Sequence, residues 1–131
     1  MTDKKINILL VDDDADYLLQ KKIELESEGF NIITANGRVS AHEIISNNKI
    51  DIAIVDLMMD ERDDGFVLSF ELKNKFPTLP IIMVTGVTAQ TGLEFNTITQ
   101  TEKKWIKADT IITKPVRKEQ LIREIRRLLH V

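Results

Sequence analysis

The residues Ile6–Asp14 (INILLVDDD) give the strongest indication of the fold, because an apolar run typical of a buried strand stops abruptly at three carboxylates. An apolar run without alternation indicates a parallel strand that is covered on both faces. Ile52–Val55 ends in the same way at Asp56, and Ile111–Thr113 ends at Lys114. Charged residues therefore follow strand-like segments at three separate places in the chain.

The ends of these runs predict where the chemistry of the chain lies. A fourth run, Ile81–Val84, ends in a hydroxyl at Thr85. If the four runs are neighbouring parallel strands, their carboxyl ends meet at one edge of a sheet, which is where open α/β sheets bind ligands. Clustered carboxylates repel one another unless a cation lies among them, and Mg²⁺ prefers hard oxygen ligands. We therefore expect a metal-dependent phosphate site at this edge.

Strand-like and helix-like segments alternate along the whole chain. The strand-like segments are Ile6–Val11, Phe30–Thr34, Ile52–Asp56, Pro80–Thr85 and Thr110–Thr113. Five βα units without an internal repeat or a linker favour an α/β fold, a three-layer sandwich with right-handed crossovers. The length of 131 residues fits one domain, so we expect a single domain over residues 1–131.

Helix signals separate these strands. We expect the first helix to begin at an N-cap, Asp14 or Asp16, and to end at Gly29. Its expected apolar face comprises Leu18, Leu19, Lys22 and Ile23. The later helical segments are Val39–Ile45, Gly65–Phe76, which Pro77 terminates, and Val116–Leu129. The Thr-rich stretch Thr91–Thr101 is a poor helix former, so the segment before the last strand is the hardest to interpret.

The composition excludes several classes of protein. The chain has no cysteine, which rules out disulfides, thiol catalysis and zinc–thiolate sites. Its 18 basic and 21 acidic residues give a net charge of -3, which provides no bulk attraction to nucleic acid or to a membrane. No apolar run approaches the roughly 20 residues that a membrane span needs. We expect a soluble, cytoplasmic protein.

Five short motifs carry a resemblance to a known family. They are Val11-Asp12-Asp13-Asp14, Val55-Asp56-Leu57-Met58-Met59, Asp64-Gly65, Val84-Thr85-Gly86 and Thr113-Lys114-Pro115. In this order, with four of them at strand ends and one opening a helix, they resemble the receiver domain of two-component response regulators. The resemblance covers almost the whole chain and implies a flavodoxin-like (CheY-like) five-stranded parallel sheet with the order 2-1-3-4-5.

The resemblance also implies a role for each site residue. Asp56 would be the nucleophile and the site of phosphorylation, forming an aspartyl-phosphate. Asp13 would ligate Mg²⁺ directly and Asp12 would help to hold the ion, while Asp56 and the backbone carbonyl of Met58 would complete the protein ligands. Two further residues, Thr85 through its hydroxyl and Lys114 through its ammonium, would contact phosphoryl oxygens. The Lys114-Pro115 peptide would be cis.

Several positions depart from the family pattern. Ile111 stands where the family usually has an aromatic residue that takes part in the switch. The loop Asp60–Asp64 is longer and more acidic than usual, and the stretch Thr91–Ile106 is extended, which we interpret as an altered surface. Met58 and Val87 are apolar and cannot orient a hydrolytic water, so we expect slow self-dephosphorylation.

The expected partners follow from the same resemblance. A histidine kinase or a phosphotransfer protein would supply the phosphoryl group, and a stand-alone regulator would signal through altered contacts with an unknown protein output target. By the same resemblance, the surface of the fourth helix, the fifth strand and the last helix is the expected output face, through which a homodimer could also assemble. Contact with nucleic acid or a membrane is not expected, because the basic residues of the last helix fit a solvated face.

Two alternatives stay open at this point. The chain could be a receiver-like interaction module that has lost phosphorylation, which the missing aromatic at Ile111 and the acidic loop favour slightly. It could also be a small aspartate-based phosphohydrolase, since Asp12-Asp13-Asp14 loosely fits an Asp-x-Asp motif after a strand. In the receiver interpretation the chain catalyses its own phosphorylation and is not a turnover enzyme.

Overall fold

Five parallel strands form the centre of the protein. The structure, a computed structural model, describes residues 5–56, 64–85 and 108–131. The strands are β1 (Asn7–Val11), β2 (Asn31–Ala35), β3 (Ile52–Asp56), β4 (Ile81–Thr85) and β5 (Thr110–Thr113). They pair in parallel in the order β2-β1-β3-β4-β5. The predicted sheet and its strand order are confirmed.

Helices cover both faces of the sheet. Those that the structure describes are α1 (Ala15–Glu26), α2 (Arg38–Asn47), α3 (Asp64–Lys75) and the C-terminal helix (Lys118–Leu129). One apolar cluster joins Ile8 and Leu10 of β1 to α1 and the C-terminal helix, and the other joins Leu9 and Val11 to α2 and α3. Alternate residues of one strand therefore face opposite helical layers, which confirms the three-layer sandwich.

The register of the strands determines which residues meet at the carboxyl edge. Val11 of β1 lies opposite Val55 of β3, so the residues that follow them, Asp12 and Asp56, come side by side. On the other side of the sheet Thr85 of β4 lies opposite Thr113 of β5. Four strands therefore have their carboxyl ends near one another, namely β1, β3, β4 and β5, because they are parallel and in register.

The ends of α1 and α3 follow the local sequence signals. The carboxylate of Asp14 accepts hydrogen bonds from the backbone N–H groups of Asp16 and Tyr17, so Asp14 is the N-cap. Gly29, after the end of α1, has φ +96°, a conformation that glycine adopts without steric cost. Helix α3 ends at Lys75, before Pro77.

The predicted buried face of α1 was partly wrong. Leu18 is buried as expected, but Leu19 and Ile23 are each 59% exposed. Lys21 lies on the buried face instead and is only 6% exposed, together with Leu25. The helix is therefore rotated relative to the expectation, because its docking against β1 and the C-terminal helix selects a face that includes one charged residue.

Some predictions fall on residues outside the described part of the chain. These are the backbone carbonyl of Met58, the side chain of Val87, most of the acidic loop and the extended Thr-rich segment. Among the residues that are described, no helix is both long and apolar enough to cross a lipid bilayer.

Candidate functional site

Three carboxylates gather at the carboxyl edge of the sheet. One oxygen from each of Asp12, Asp13 and Asp56 lies within 4.8 Å of the others. Asp12 and Asp56 are 1% and 4% exposed, whereas Asp13 faces solvent. The strand ends hold the two buried carboxylates, and the chain turn after β1 places Asp13 beside them. The predicted carboxylate group is therefore present in the structure.

Lys114 brings a positive charge to this group. Its Nζ lies 3.5 Å from Oδ2 of Asp12 and 3.6 Å from Oδ2 of Asp56. The Lys114-Pro115 peptide is cis, as the sequence resemblance implied. The Lys114 side chain is 33% exposed, so a ligand arriving at the edge can reach its ammonium. The predicted meeting of this lysine with the carboxylates is confirmed.

The two carboxylate oxygens of Asp12 differ in their hydrogen bonding. Its Oδ1 accepts a hydrogen bond of 2.9 Å from the backbone N–H of Asp14. Its Oδ2 is buried and accepts no hydrogen bond from any residue that the structure describes, although the Lys114 ammonium lies nearby. A buried carboxylate oxygen without a donor is costly. A cation at this position would satisfy it.

The charges of the group also favour a divalent cation. Three carboxylates and one ammonium sum to a formal charge of -2. All four groups lie within a few ångströms at a partly buried edge, where charges interact more strongly than in water. Oxygen ligands in such a group suit Mg²⁺, which needs few protein ligands because it keeps several waters. The donor set therefore fits this ion.

Thr85 completes the group of predicted residues. It is the last residue of β4 and is 5% exposed. The backbone N–H of Lys114 donates a hydrogen bond of 2.8 Å to its carbonyl oxygen, so the two residues are neighbours across the strand ends. Of the predicted site residues, only Met58 falls outside the described ranges.

Two residues of α1 border the site and were missed by the sequence analysis. The Lys114 Nζ lies 4.8 Å from the centroid of the Tyr17 ring, which is within the range of a cation–π contact. Lys21, one turn further along α1, donates a hydrogen bond of 2.8 Å to the backbone carbonyl of Val116. Tyr17 and Lys21 lie four positions apart in α1 and therefore share one helical face, a spacing that the sequence shows.

The environment of Tyr17 is electrostatically negative. Burial raises the pKa of its phenol above the ordinary value, and the carboxylates of Asp12, Asp56 and Glu24 raise it further. Each of these influences disfavours the phenolate. Tyr17 therefore stays neutral at physiological pH and presents the face of a neutral ring to the ammonium.

Comparison with known proteins identifies relatives of the chain. The sequence model of the response regulator receiver domain matches residues 8–126. The chain is 35% identical over 124 residues to the heme response regulator HssR of Staphylococcus haemolyticus, a match that covers 95% of this chain and 51% of that protein. It is 36% identical over 86 residues to the transcriptional regulatory protein GlrR of Escherichia coli K12, covering 66% of this chain and 19% of GlrR.

Solved structures show the same architecture. The chain superimposes with a TM-score of 0.81 and 27% identity on a CheY-like response regulator receiver domain protein from Methanospirillum hungatei, covering 97% of this chain and 95% of that one. With the receiver domain of NtrX from Brucella abortus the TM-score is 0.78 at 28% identity, covering 95% and 98%. The chain thus spans only 19% of GlrR and 51% of HssR. It covers 95% and 98% of the two solved chains named here.

Proposed function

Because the chain belongs to the response regulator receiver domain family, we propose that it accepts a phosphoryl group on Asp56 and acts as a phosphorylation-dependent signalling receiver. The observation that carries this proposal is the position of the Lys114 ammonium, 3.5 and 3.6 Å from the buried carboxylates of Asp12 and Asp56. An ordinary strand-ending aspartate would not need an ammonium and two further carboxylates around it.

The transfer is a displacement at phosphorus. An oxygen of the Asp56 carboxylate attacks the phosphoryl group of the donor and forms a new P–O bond. The bond between phosphorus and the donor breaks, and its electron pair leaves with the donor group. Lys114 neutralises charge on a phosphoryl oxygen, and Thr85 donates its hydroxyl to another. Such a step depends mainly on positioning and charge stabilisation, which the strand ends supply.

The acidic residues define where a divalent cation would be held. Asp12, Asp13 and Asp56 would bind Mg²⁺, together with the backbone carbonyl of Met58 in our proposal. When bound, the ion supplies neutralisation of charge between the carboxylates and the incoming phosphoryl oxygens. The buried Oδ2 of Asp12 supports this assignment, because it lacks a hydrogen-bond donor among the described residues.

The donor in this proposal is a histidine kinase or a phosphotransfer protein. Receiver domains are signalling modules that exchange phosphoryl groups with such partners, and the chain would accelerate the transfer only onto itself. The output would be a change in contacts with another protein. The matched regions make up 51% of HssR and 19% of GlrR, so the output contact of this chain remains part of the proposal.

Intact mass measurement tests the proposal directly. The protein is incubated with acetyl phosphate and Mg²⁺, with Asp56→Asn as the matched control. We expect a stable gain of one phosphoryl group in the wild type and none in the variant. No gain in the folded wild type would support an interaction module without phosphorylation. Steady release of inorganic phosphate with many turnovers would support a phosphohydrolase.

A further inference from the structure

Lys21 is a buried charge that the proposed chemistry does not use. Its ammonium donates to the backbone carbonyl of Val116 at 2.8 Å and to Oε2 of Glu24 at 3.0 Å. Only 6% of the residue is exposed. Lysine is rarely buried to this degree, because desolvation of an ammonium is costly unless good partners compensate for it. Such a residue calls for a structural or functional reason.

The partner of Lys21 lies next to the turn that carries Lys114. Val116 follows the cis Lys114-Pro115 peptide directly, and its own side chain is buried in the apolar cluster under α1. The hydrogen bond joins positions that are 95 residues apart in sequence. It therefore fixes the turn after β5 to α1 at a point two residues beyond Lys114.

The ring of Tyr17 lies close to both ammonium groups. The centroid of its ring is 4.8 Å from Nζ of Lys114 and 5.9 Å from Nζ of Lys21. The ring face attracts a cation and limits the space that a flexible lysine can occupy. A four-carbon side chain has many rotamers, so contacts with the ring and with the carboxylates restrict where its ammonium lies.

We propose that Lys21 and Tyr17 are positioning residues for Lys114: Lys21 anchors the turn that carries Lys114 through the Val116 carbonyl, and the ring of Tyr17 confines the Lys114 ammonium beside Asp12 and Asp56. This inference rests on the proposed function and adds a second set of residues, on α1, to the strand ends. Small errors in the position of a charge-stabilising group reduce reaction rates strongly, so a contact that holds Lys114 in place should increase the rate of phosphorylation.

The experiment measures Mg²⁺ affinity and phosphorylation rate in the full chain. The Lys114 ammonium repels a cation held by Asp12 and Asp56, so Lys114→Met should bind Mg²⁺ more tightly than the wild type. If Lys21 positions that ammonium, Lys21→Met should also tighten Mg²⁺ binding and should slow phosphorylation by acetyl phosphate about tenfold or more. Lys22→Met, a change of the same kind at the next position, serves as the matched control and should shift neither quantity comparably.

A double-mutant cycle separates positioning from other effects. The change in Mg²⁺ dissociation constant caused by Lys21→Met should disappear in the Lys114→Met background, because the ammonium to be positioned is then missing. An equal change in both backgrounds would overturn the role of Lys21, since it would reflect only loss of a nearby charge or general loosening. Lys21→Gln provides a second variant if Lys21→Met does not fold, as judged by circular dichroism.

Tyr17 is tested by a matched pair of substitutions. Tyr17→Leu removes the ring and should slow phosphorylation by at least about threefold, with tighter Mg²⁺ binding. Tyr17→Phe keeps the ring face and should recover most of the loss seen in Tyr17→Leu. Equal behaviour of the two variants would overturn the role of the ring.

Different results would overturn the phosphorylation of Asp56 and the positioning of Lys114 by α1. A wild-type protein that takes up no phosphoryl group would overturn the proposed function, while the Mg²⁺ cycle would still test the positioning of Lys114. Normal phosphorylation in the wild type and in every folded Lys21 variant would overturn the positioning by Lys21 and leave the proposed function intact.

Discussion

The backbone N–H of Lys114 donates a hydrogen bond of 2.8 Å to the carbonyl oxygen of Thr85. This bond continues the pairing of β4 with β5 by one residue beyond the last strand pair, Thr85 with Thr113. It keeps the residue that supplies a hydroxyl and the residue that supplies an ammonium next to each other. Because the bond joins backbone atoms, a change of either side chain leaves it in place. Substitutions of Thr85 and Lys114 should therefore change the chemistry of the site more than its folding.

Lys114→Met should affect phosphorylation and metal binding in opposite directions. We expect the rate of phosphorylation by acetyl phosphate to fall by about 100-fold, because a positioned group that stabilises developing charge is lost. Mg²⁺ should bind more tightly, because the cation no longer meets an ammonium 3.5 Å from the Asp12 oxygen that we propose to bind it. Time-resolved intact mass and calorimetric titration measure the two effects. A variant with weaker Mg²⁺ binding would contradict this arrangement of charges.

Asp13→Asn should raise the thermal midpoint of the protein in EDTA. The carboxylate of Asp13 lies within 4.8 Å of those of Asp12 and Asp56, so removal of one charge relieves repulsion among like charges. The wild type should instead gain about 2.7 kcal/mol in unfolding free energy at a Mg²⁺ concentration 100 times its dissociation constant. Thermal scans with and without Mg²⁺ test both statements. An Asp13→Asn protein stabilised by Mg²⁺ as strongly as the wild type would exclude Asp13 as a ligand.

Thr85→Val should keep the fold and slow the chemistry. Valine has the branched shape of threonine and fits the buried end of β4, where Thr85 is 5% exposed. Loss of one hydroxyl donor to a phosphoryl oxygen is expected to reduce the rate about tenfold, the effect of a hydrogen bond of ordinary strength. Thr85→Ser keeps the hydroxyl and is the matched control. Equal rates for the two variants would remove the hydroxyl from the mechanism.

The ionisation of Tyr17 should appear as a loss of stability at alkaline pH. Burial, followed by the charges of Asp12, Asp56 and Glu24, raises the pKa of the folded phenol above its unfolded value of about 10. The stabilising contribution is therefore fully present below about pH 10 and is lost as the pH rises toward the folded pKa. Denaturant titrations across this range should show a steeper loss in the wild type than in Tyr17→Phe.

A spectroscopic titration checks the same group without unfolding the protein. Tyr17 is the only tyrosine of the chain, so phenolate absorbance reports on this residue alone. The native protein should form phenolate only well above the pH at which a denatured sample does. A native titration that overlays the denatured one would show that the phenol is neither desolvated nor close to the carboxylates.

The amino-acid pattern alone predicts the sheet and the residues at its carboxyl edge. Continuous apolar runs such as Ile52–Val55 predict strands covered on both sides, and each run stops where a charged residue begins. Parallel strands joined by helices have their carboxyl ends at one edge, so the sequence alone predicts that Asp12, Asp56 and Lys114 meet there. This inference succeeds because strand direction is set by the alternation of strands and helices, which is visible in the chain.

The buried face of α1, in contrast, depends on the packing of the folded chain. Periodicity placed Leu19 and Ile23 inward, but both are largely exposed and Lys21 is buried. The Lys21 ammonium donates to the backbone carbonyl of Val116, 95 positions later. Every residue has a backbone carbonyl, so the sequence does not indicate which one Lys21 contacts. Hydrophobic pattern predicts that a helix has a buried side, whereas the exact side depends on partners that only the folded chain brings within hydrogen-bonding distance.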